Sequence, residues 1–334
     1  MEHFLRNILK IGFPLLLGAG ILWWMYRDTN WEGFLFTLQH EINWWWMGIS
    51  MIFGILPQVF RALRWRMTLL PMSEIATRRS CINAIFISYA ASLVVPRIGE
   101  VTRCGTLKKK EGVRFTKAIG TVVTERVVDS ALMLVISGVA FLSQLPTFMQ
   151  FAAETGFDYR AILSRFTNTG YFVVALCAMM AVGLALILIF RYKMFSKGKE
   201  RMLNLWEGIC SLRHIEHPTL YWIYSIGIWV GYYLHFYLAF FCFDFTSGID
   251  PLAALLIFSI GSFAVLVPTP NGAGSWHFAV KTMLVLYGVA ESSAILFALV
   301  VHTLQTMLVV ALGIWGSWDL TRTPSVKFNS NPTE

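Results

Sequence analysis

The sequence predicts an all-α integral membrane protein: a polytopic bundle of about six full spans plus two re-entrant or broken-helix segments, about eight membrane segments in all. Three observations predict it. Apolar residues make up 56% of the 334 residues and charged residues only 14%, a balance unsuited to a water-soluble chain of this length. Apolar stretches long enough to cross a bilayer, which takes about 20 residues, recur from one end of the chain to the other. Trp and Tyr gather near the ends of those stretches, where amphipathic rings favour the headgroup region.

The spans follow in order as Ile8 to Met25, Trp44 to Phe60, Ala118 to Leu142, Gly170 to Phe190, Leu220 to Cys242 and Ser292 to Trp318. The first has the basic start of a signal peptide (Arg6, Lys10), but no small-x-small cleavage site follows Trp23 and Trp24, so it reads as a retained span. Short loops rich in Lys and Arg, at 61–79, 97–117 and 191–213, are expected on the cytoplasmic side. The loops at 27–43, 143–169 and 243–250 are poorer in positive charge and are expected outside, which leaves both termini inside. Between 196 and 214, Met202, Leu205, Trp206, Ile209 and Leu212 follow helical spacing, as in an amphipathic helix lying on the inner leaflet.

Two segments break the simple count. Cys81 to Val95 is apolar but has basic loops on both sides, so a hairpin that enters and leaves by the cytoplasmic face resolves the conflict. Pro251 to Val267 and Trp276 to Gly288 are short apolar runs split by the Pro- and Gly-rich run 268–274. They either dip in from outside and return or cross fully. Irregular backbone at membrane depth persists only where protein or a wet cavity satisfies its N–H and C=O groups, so both breaks point to a cavity. The run Leu93-Val94-Val95-Pro96 with Gly99 also resembles Val265-Leu266-Val267-Pro268 with Gly272, as inverted repeats with paired broken helices would.

Charge is concentrated beside the first break. Glu125, Arg126 and Asp129 stand at the head of the span 118–142, where each charge costs roughly 2.5 to 3.5 kcal/mol near a helix centre. Glu125 and Asp129 share a helix face while Arg126 is turned away, so its partners are expected on another element; Arg97 and Glu100 are candidates. Such a network can bind a phosphate headgroup through bidentate arginines, or it can be a structural clasp. Arg61, Arg64 and Arg66 directly follow a span, where positive-inside topology accounts for them and headgroup contact is the lesser alternative. His235 and His302 read as core histidines with one hydrogen bond each. His277 follows the glycine turn, where a helix start would aim its N–H groups into the cavity and favour an anion; Asn271 lies in the same turn.

The net charge of +8 is spread over short loops, which fits membrane orientation and anionic lipid better than nucleic acid. Cys81, Cys104, Cys177, Cys210 and Cys242 are scattered and support neither a disulfide framework nor a zinc site. No nucleotide loop, metal-ligand spacing or nucleophile elbow is present, so no metal, cofactor or catalytic residue is expected.

The run Arg61-Ala-Leu-Arg-Trp-Arg66, then Val95-Pro-Arg-Ile-Gly-Glu100 with Arg103, then Glu125-Arg126 with Asp129, and finally Pro268 to His277 resembles the lysylphosphatidylglycerol synthase transmembrane-region family, also called flippase-like domain proteins. The resemblance implies one transmembrane domain over 1–320, including the surface helix, with a polar tail at 321–334. It also implies a bacterial inner membrane location and a role in moving lipids between leaflets. The aminoacyl transferase fused to such domains is not found before Glu334, so lipid aminoacylation is not expected. Where the family often carries Glu after the glycine turn, this sequence has His277.

These readings converge on a translocator of an anionic phospholipid or lipid-linked headgroup. Arg97, Glu100, Arg103, Glu125, Arg126, Asp129, Asn271 and His277 are its expected binding residues. Membrane lipids are the expected partners, with a second copy of the chain or an envelope-lipid synthase as further ones. The alternatives are a membrane enzyme acting on a polyprenyl or phospholipid headgroup, with Glu125 or Asp129 as base, and a non-transporting partner of such a synthase.

Overall fold

The computed structural model describes residues 16–27, 31–95, 98–146, 215–267 and 269–323, with isolated positions 12 and 149 and only the backbone at 33–35. All regular structure among them is helical. We number the main helices α1 (Leu16–Tyr26), α2 (Trp31–His40), α3 (Trp44–Leu69), α4 (Arg78–Val94), α5 (Gly99–Glu111), α6 (Phe115–Ser143), α7 (Pro218–Leu238), α8 (Pro251–Ala264), α9 (Ser275–Leu286) and α10 (Glu291–Arg322). Four helical stretches are long and apolar enough to cross a membrane: Trp44–Met72, Phe115–Ser143, Pro218–Cys242 and Glu291–Arg322. They coincide with four of the predicted spans. The predicted span 170–190 and the amphipathic helix near 196–214 lie outside the described residues, as do Cys177 and Cys210.

One boundary differs from expectation in a way that matters. The second span does not stop at Phe60; α3 runs on to Leu69 and carries Arg61, Arg64 and Arg66 with it. Arg61 and Arg64 are buried, which only partnered charges tolerate. The cytoplasmic-loop reading of these arginines is therefore corrected for two of the three, while the partly exposed Arg66 donates from Nε to the carbonyl of Ala76 at 2.8 Å.

Helices α3 and α7 pack side by side in opposite senses, Gly54 against His235 and Gly231 against Pro57. At one end of the α3/α7 pair the Asn43 N–H donates to the Cys242 carbonyl at 2.9 Å. Helix α4 and helix α5 form the first hairpin, and carboxylates close its base: both oxygens of Glu111 accept from Thr77, from its N–H at 2.8 Å and its hydroxyl at 2.6 Å. Glu74 does the same for Arg114, accepting from the backbone at 3.0 Å and from Nε at 2.5 Å. At 17 and 13 residues, α4 and α5 reach about 25 and 20 Å, short of the ~30 Å hydrocarbon core. The chain thus returns to the end it started from, but not as expected: the run from Cys81 lies in one continuous helix to Val94, and the return limb is the basic stretch 99–111 that the sequence assigns to a loop.

The second hairpin is built from the other end. Tyr233, near the end of α7, donates to the carbonyl of Pro251 at the start of α8 at 2.7 Å. Tyr287, at the end of α9, donates to Gln144 just past α6 at 3.1 Å. Between α8 and α9 the chain turns through left-handed Asn271 (φ 52°), Gly272 (φ 71°) and Gly274 (φ 88°), a conformation that favours glycine and tolerates asparagine.

Helix α10 connects the two hairpins. Asp319 accepts from Arg79 Nε at 2.7 Å and Asn83 Nδ2 at 2.6 Å. A Cβ on Gly316 would meet Asn83 and Phe86, and one on Gly313 would meet Ala90. Small residues thus let α4 and α10 approach antiparallel, and continuing their register brings Val94, the last residue of α4, level with the stretch around Thr306. There Asn271 Nδ2 donates to Thr306 Oγ1 at 3.0 Å, and α4 packs on the Pro270–Gly272 turn. The two hairpins, based at opposite ends, meet tip to tip beside the middle of α10.

Two apolar cores flank this junction. One gathers Trp65, Leu69, Ile85, Leu107 and Val122 from α3 to α6. The other gathers Phe236, Phe240, Ile257, Leu284 and Phe297 from α7 to α10. Cys81, Cys104 and Cys242 are free and buried.

Candidate functional site

Four helices contribute to a charge cluster beside the first hairpin. From α3, Arg61 and Arg64 stand one turn apart on one face, as i, i+3 spacing dictates. From α6, Glu125 and Asp129 do the same at i, i+4. Arg61 Nη1 donates to Asp129 Oδ2 at 2.6 Å and Arg64 Nη2 to Asp129 Oδ1 at 2.7 Å, so each carboxylate oxygen has its own guanidinium. Arg64 continues to Ser225 Oγ on α7 at 3.2 Å and lies over the ring of Tyr221 at 5.8 Å.

Glu125 is fully buried. Its Oε2 lies 2.8 Å from Arg103 Nη1 on α5 and its Oε1 lies 3.6 Å from Arg64 Nε. Neither oxygen receives an aligned hydrogen bond among the described residues, so charge rather than hydrogen-bond geometry holds it. Arg103 also lies 4.6 Å from the centre of the Trp65 ring, and Trp65 is fixed by its Nε1 donating to Thr121 Oγ1 at 3.0 Å. Buried nitrogens of Arg61 (Nε) and Arg103 (Nη2) have no hydrogen-bond acceptor among the described residues.

The cluster has a rim. Arg126 reaches Glu100 on α5 at 3.3 Å and Asp129 on its own helix at 3.4 Å. Its side chain is 44% exposed and that of Glu100 43%, whereas Arg61, Arg64, Arg103, Glu125 and Asp129 are each at most 6% exposed. Among the described residues the assembly holds four arginines and three carboxylates, one cation in excess. Beyond it, Tyr89 on α4 and Tyr232 on α7 share a hydroxyl hydrogen bond of 2.7 Å.

Of the residues singled out in the sequence, Glu100, Arg103, Glu125, Arg126 and Asp129 are brought together here. Arg97 lies outside the described residues. Asn271 and His277 belong to the other hairpin: His277 is buried, and its Nδ1 accepts the N–H of Gly274 at 3.3 Å, so it caps its own helix. His235 is held by Ser50, whose hydroxyl meets its Nδ1 at 2.8 Å, and His302 Nε2 faces the Asn271 carbonyl at 3.1 Å. Arg61 and Arg64 are the members that sequence reasoning assigned to a loop. Their i, i+3 spacing, matched to the i, i+4 spacing of Glu125 and Asp129, was the available signal.

No curated protein and no solved structure matches the chain. One family does, and it covers the first charge-bearing span, both hairpins and most of α10: residues 11–313 match the lysylphosphatidylglycerol synthase TM region. The chain is a membrane protein that belongs to this phospholipid-related family.

Proposed function

We propose that the protein is a lipid translocator that moves an anionic phospholipid or lipid-linked headgroup between leaflets. The observation that carries this reading is the buried arginine-rich cluster, one cation in excess, opening at its rim beside the tip of a re-entrant hairpin. Guanidinium donors matched to phosphate oxygens supply bidentate recognition, and the unpartnered nitrogens of Arg61 and Arg103 supply donors for it. The half-exposed Arg126–Glu100 pair is the natural first contact, while the acyl chains stay in the bilayer.

The family and the expected positive-inside placement of the Glu74/Glu111 end support a cytoplasmic first hairpin, both termini inside, and one domain over 1–320 in a bacterial inner membrane. A base role for Glu125 or Asp129 fits less well, because guanidinium groups already engage both carboxylates. A second copy of the chain or an envelope-lipid synthase remains a partner to be sought by co-purification.

Reconstitution into vesicles with fluorescent phospholipids tests the reading. Leaflet exchange is expected with anionic lipid and is expected to be lost in Arg126→Ala, whose exposed side chain leaves the fold intact. Exchange that is equal in empty vesicles, or unchanged in Arg126→Ala across several lipids, overturns it.

A further inference from the structure

The polar groups of the second hairpin differ in chemistry from the arginine cluster. The rings of His277 on α9 and His302 on α10 lie 4.3 Å apart, tilted by 51°. Each has one nitrogen already assigned. A backbone N–H only donates, so the bond from Gly274 to His277 Nδ1 places the proton of neutral His277 on Nε2. A carbonyl only accepts, so the contact of His302 Nε2 with the Asn271 oxygen places that proton on Nε2 and leaves Nδ1 of His302 with its lone pair.

The surroundings of the pair are aromatic and hold no metal-ligand cluster among the described residues: no third His, Cys, Asp or Glu joins the two rings. Trp276 packs on both rings, and Tyr26 of α1 meets His277 edge-on at 6.0 Å. The Tyr26 hydroxyl is buried and has no hydrogen-bond partner among the described residues. One turn along α9, Lys281 is committed to Glu291 at 2.5 Å.

We propose that His277 and His302 form a proton-binding site that takes up one proton, on Nδ1 of His302, and thereby fixes the tip of the second hairpin against α10. The inference rests on the translocator reading, to which it supplies a coupling ion. Uptake breaks one O–H bond of hydronium and forms that N–H bond, leaving water, and release reverses the exchange. On protonation the bond from His302 Nε2 to the Asn271 carbonyl becomes charge-assisted and stronger, and deprotonation relaxes it. A second proton is opposed twice. On His277 it would set Nδ1–H against the Gly274 N–H at the positive end of α9, and it would place two imidazolium rings within 4.3 Å.

The test uses the full chain in nanodiscs with 15N-labelled histidine, followed by NMR across the acid-to-neutral range. His302→Gln keeps a donor for the Asn271 carbonyl and His277→Gln keeps an acceptor for the Gly274 N–H. Wild type is expected to show one protonation step for the pair, absent in His302→Gln and displaced in His277→Gln. Rings that stay neutral throughout, or two steps that ignore each other's replacement, overturn the proposal. In vesicles, fluorescent-lipid exchange is expected to follow an imposed proton gradient in wild type and to ignore it in His302→Gln. Exchange indifferent to the gradient in wild type overturns the coupling. No exchange under any condition, with the NMR step intact, instead overturns the translocator reading and leaves the proton site standing.

Discussion

Arg103 on α5 and Glu125 on α6 face each other at 2.8 Å with almost no solvent exposure, tying the returning limb of the first hairpin to a crossing helix. Removing Glu125 strands Arg103, and removing Arg103 leaves Glu125 only its longer 3.6 Å contact with Arg64, both in a low-dielectric site. Arg103→Met alone or Glu125→Gln alone should each cost about 3–5 kcal/mol, read as a large fall in the thermal midpoint in detergent. The double replacement Arg103→Met with Glu125→Met should recover most of that loss, because no lone charge remains. Losses that simply add would show that the two groups are not coupled.

The tyrosine pair tests the link between the first hairpin and α7. The hydroxyls of Tyr89 and Tyr232 meet at 2.7 Å, so a single Phe replacement takes from the remaining hydroxyl its bond to the other. Tyr89→Phe and Tyr232→Phe should each lower stability by about 1 kcal/mol, whereas the double Phe variant should lie close to wild type in the same melt. A double variant as damaged as both singles combined would rule out a direct bond.

Local patterns carried the parts of this fold that the sequence made legible. Glu125 and Asp129 sit at i, i+4 in an apolar run, so their shared face and the need for partners could be read directly. The Pro and Gly run at 268–274 announced a break, and the left-handed Asn271, Gly272 and Gly274 show why. Partner identity was not legible. Arg61 and Arg64 look like ordinary cytoplasmic arginines until Asp129, more than sixty positions later, is seen to receive both. The role of His277 was likewise hidden, because a helix-capping bond to Gly274 and a ring contact with His302 depend on backbone geometry and on a distant helix.

The hairpin geometry predicts accessibility. The bonds from Thr77 to Glu111 and from Arg114 to Glu74 hold both feet of the first hairpin at one end, so Ile75→Cys and Lys109→Cys should react with a membrane-impermeant maleimide from the same side. Ser247→Cys and Ser292→Cys, at the base of the second hairpin, should react from the other. Ile75 and Lys109 labelling from opposite faces would mean that α4 and α5 do not return as a pair.

The close passage of α4 over α10 makes the most position-specific prediction. A Cβ on Gly313 would collide with the Cβ of Ala90, and both belong to rigid helix backbones, so neither can rotate away. Gly313→Ala should cost about 1–3 kcal/mol through forced separation of the helices, even though alanine is the better helix former. Replacing the opposing residue removes the obstruction, so Gly313→Ala with Ala90→Gly should return toward wild type. Gly48 on α3 provides the contrast: nothing lies within 4 Å of its hypothetical Cβ, so Gly48→Ala should be neutral or raise stability by about 0.5–1 kcal/mol. Thermal unfolding of the three variants in one detergent decides it, and a Gly313→Ala melt equal to that of Gly48→Ala would mean that α4 and α10 do not cross at this point.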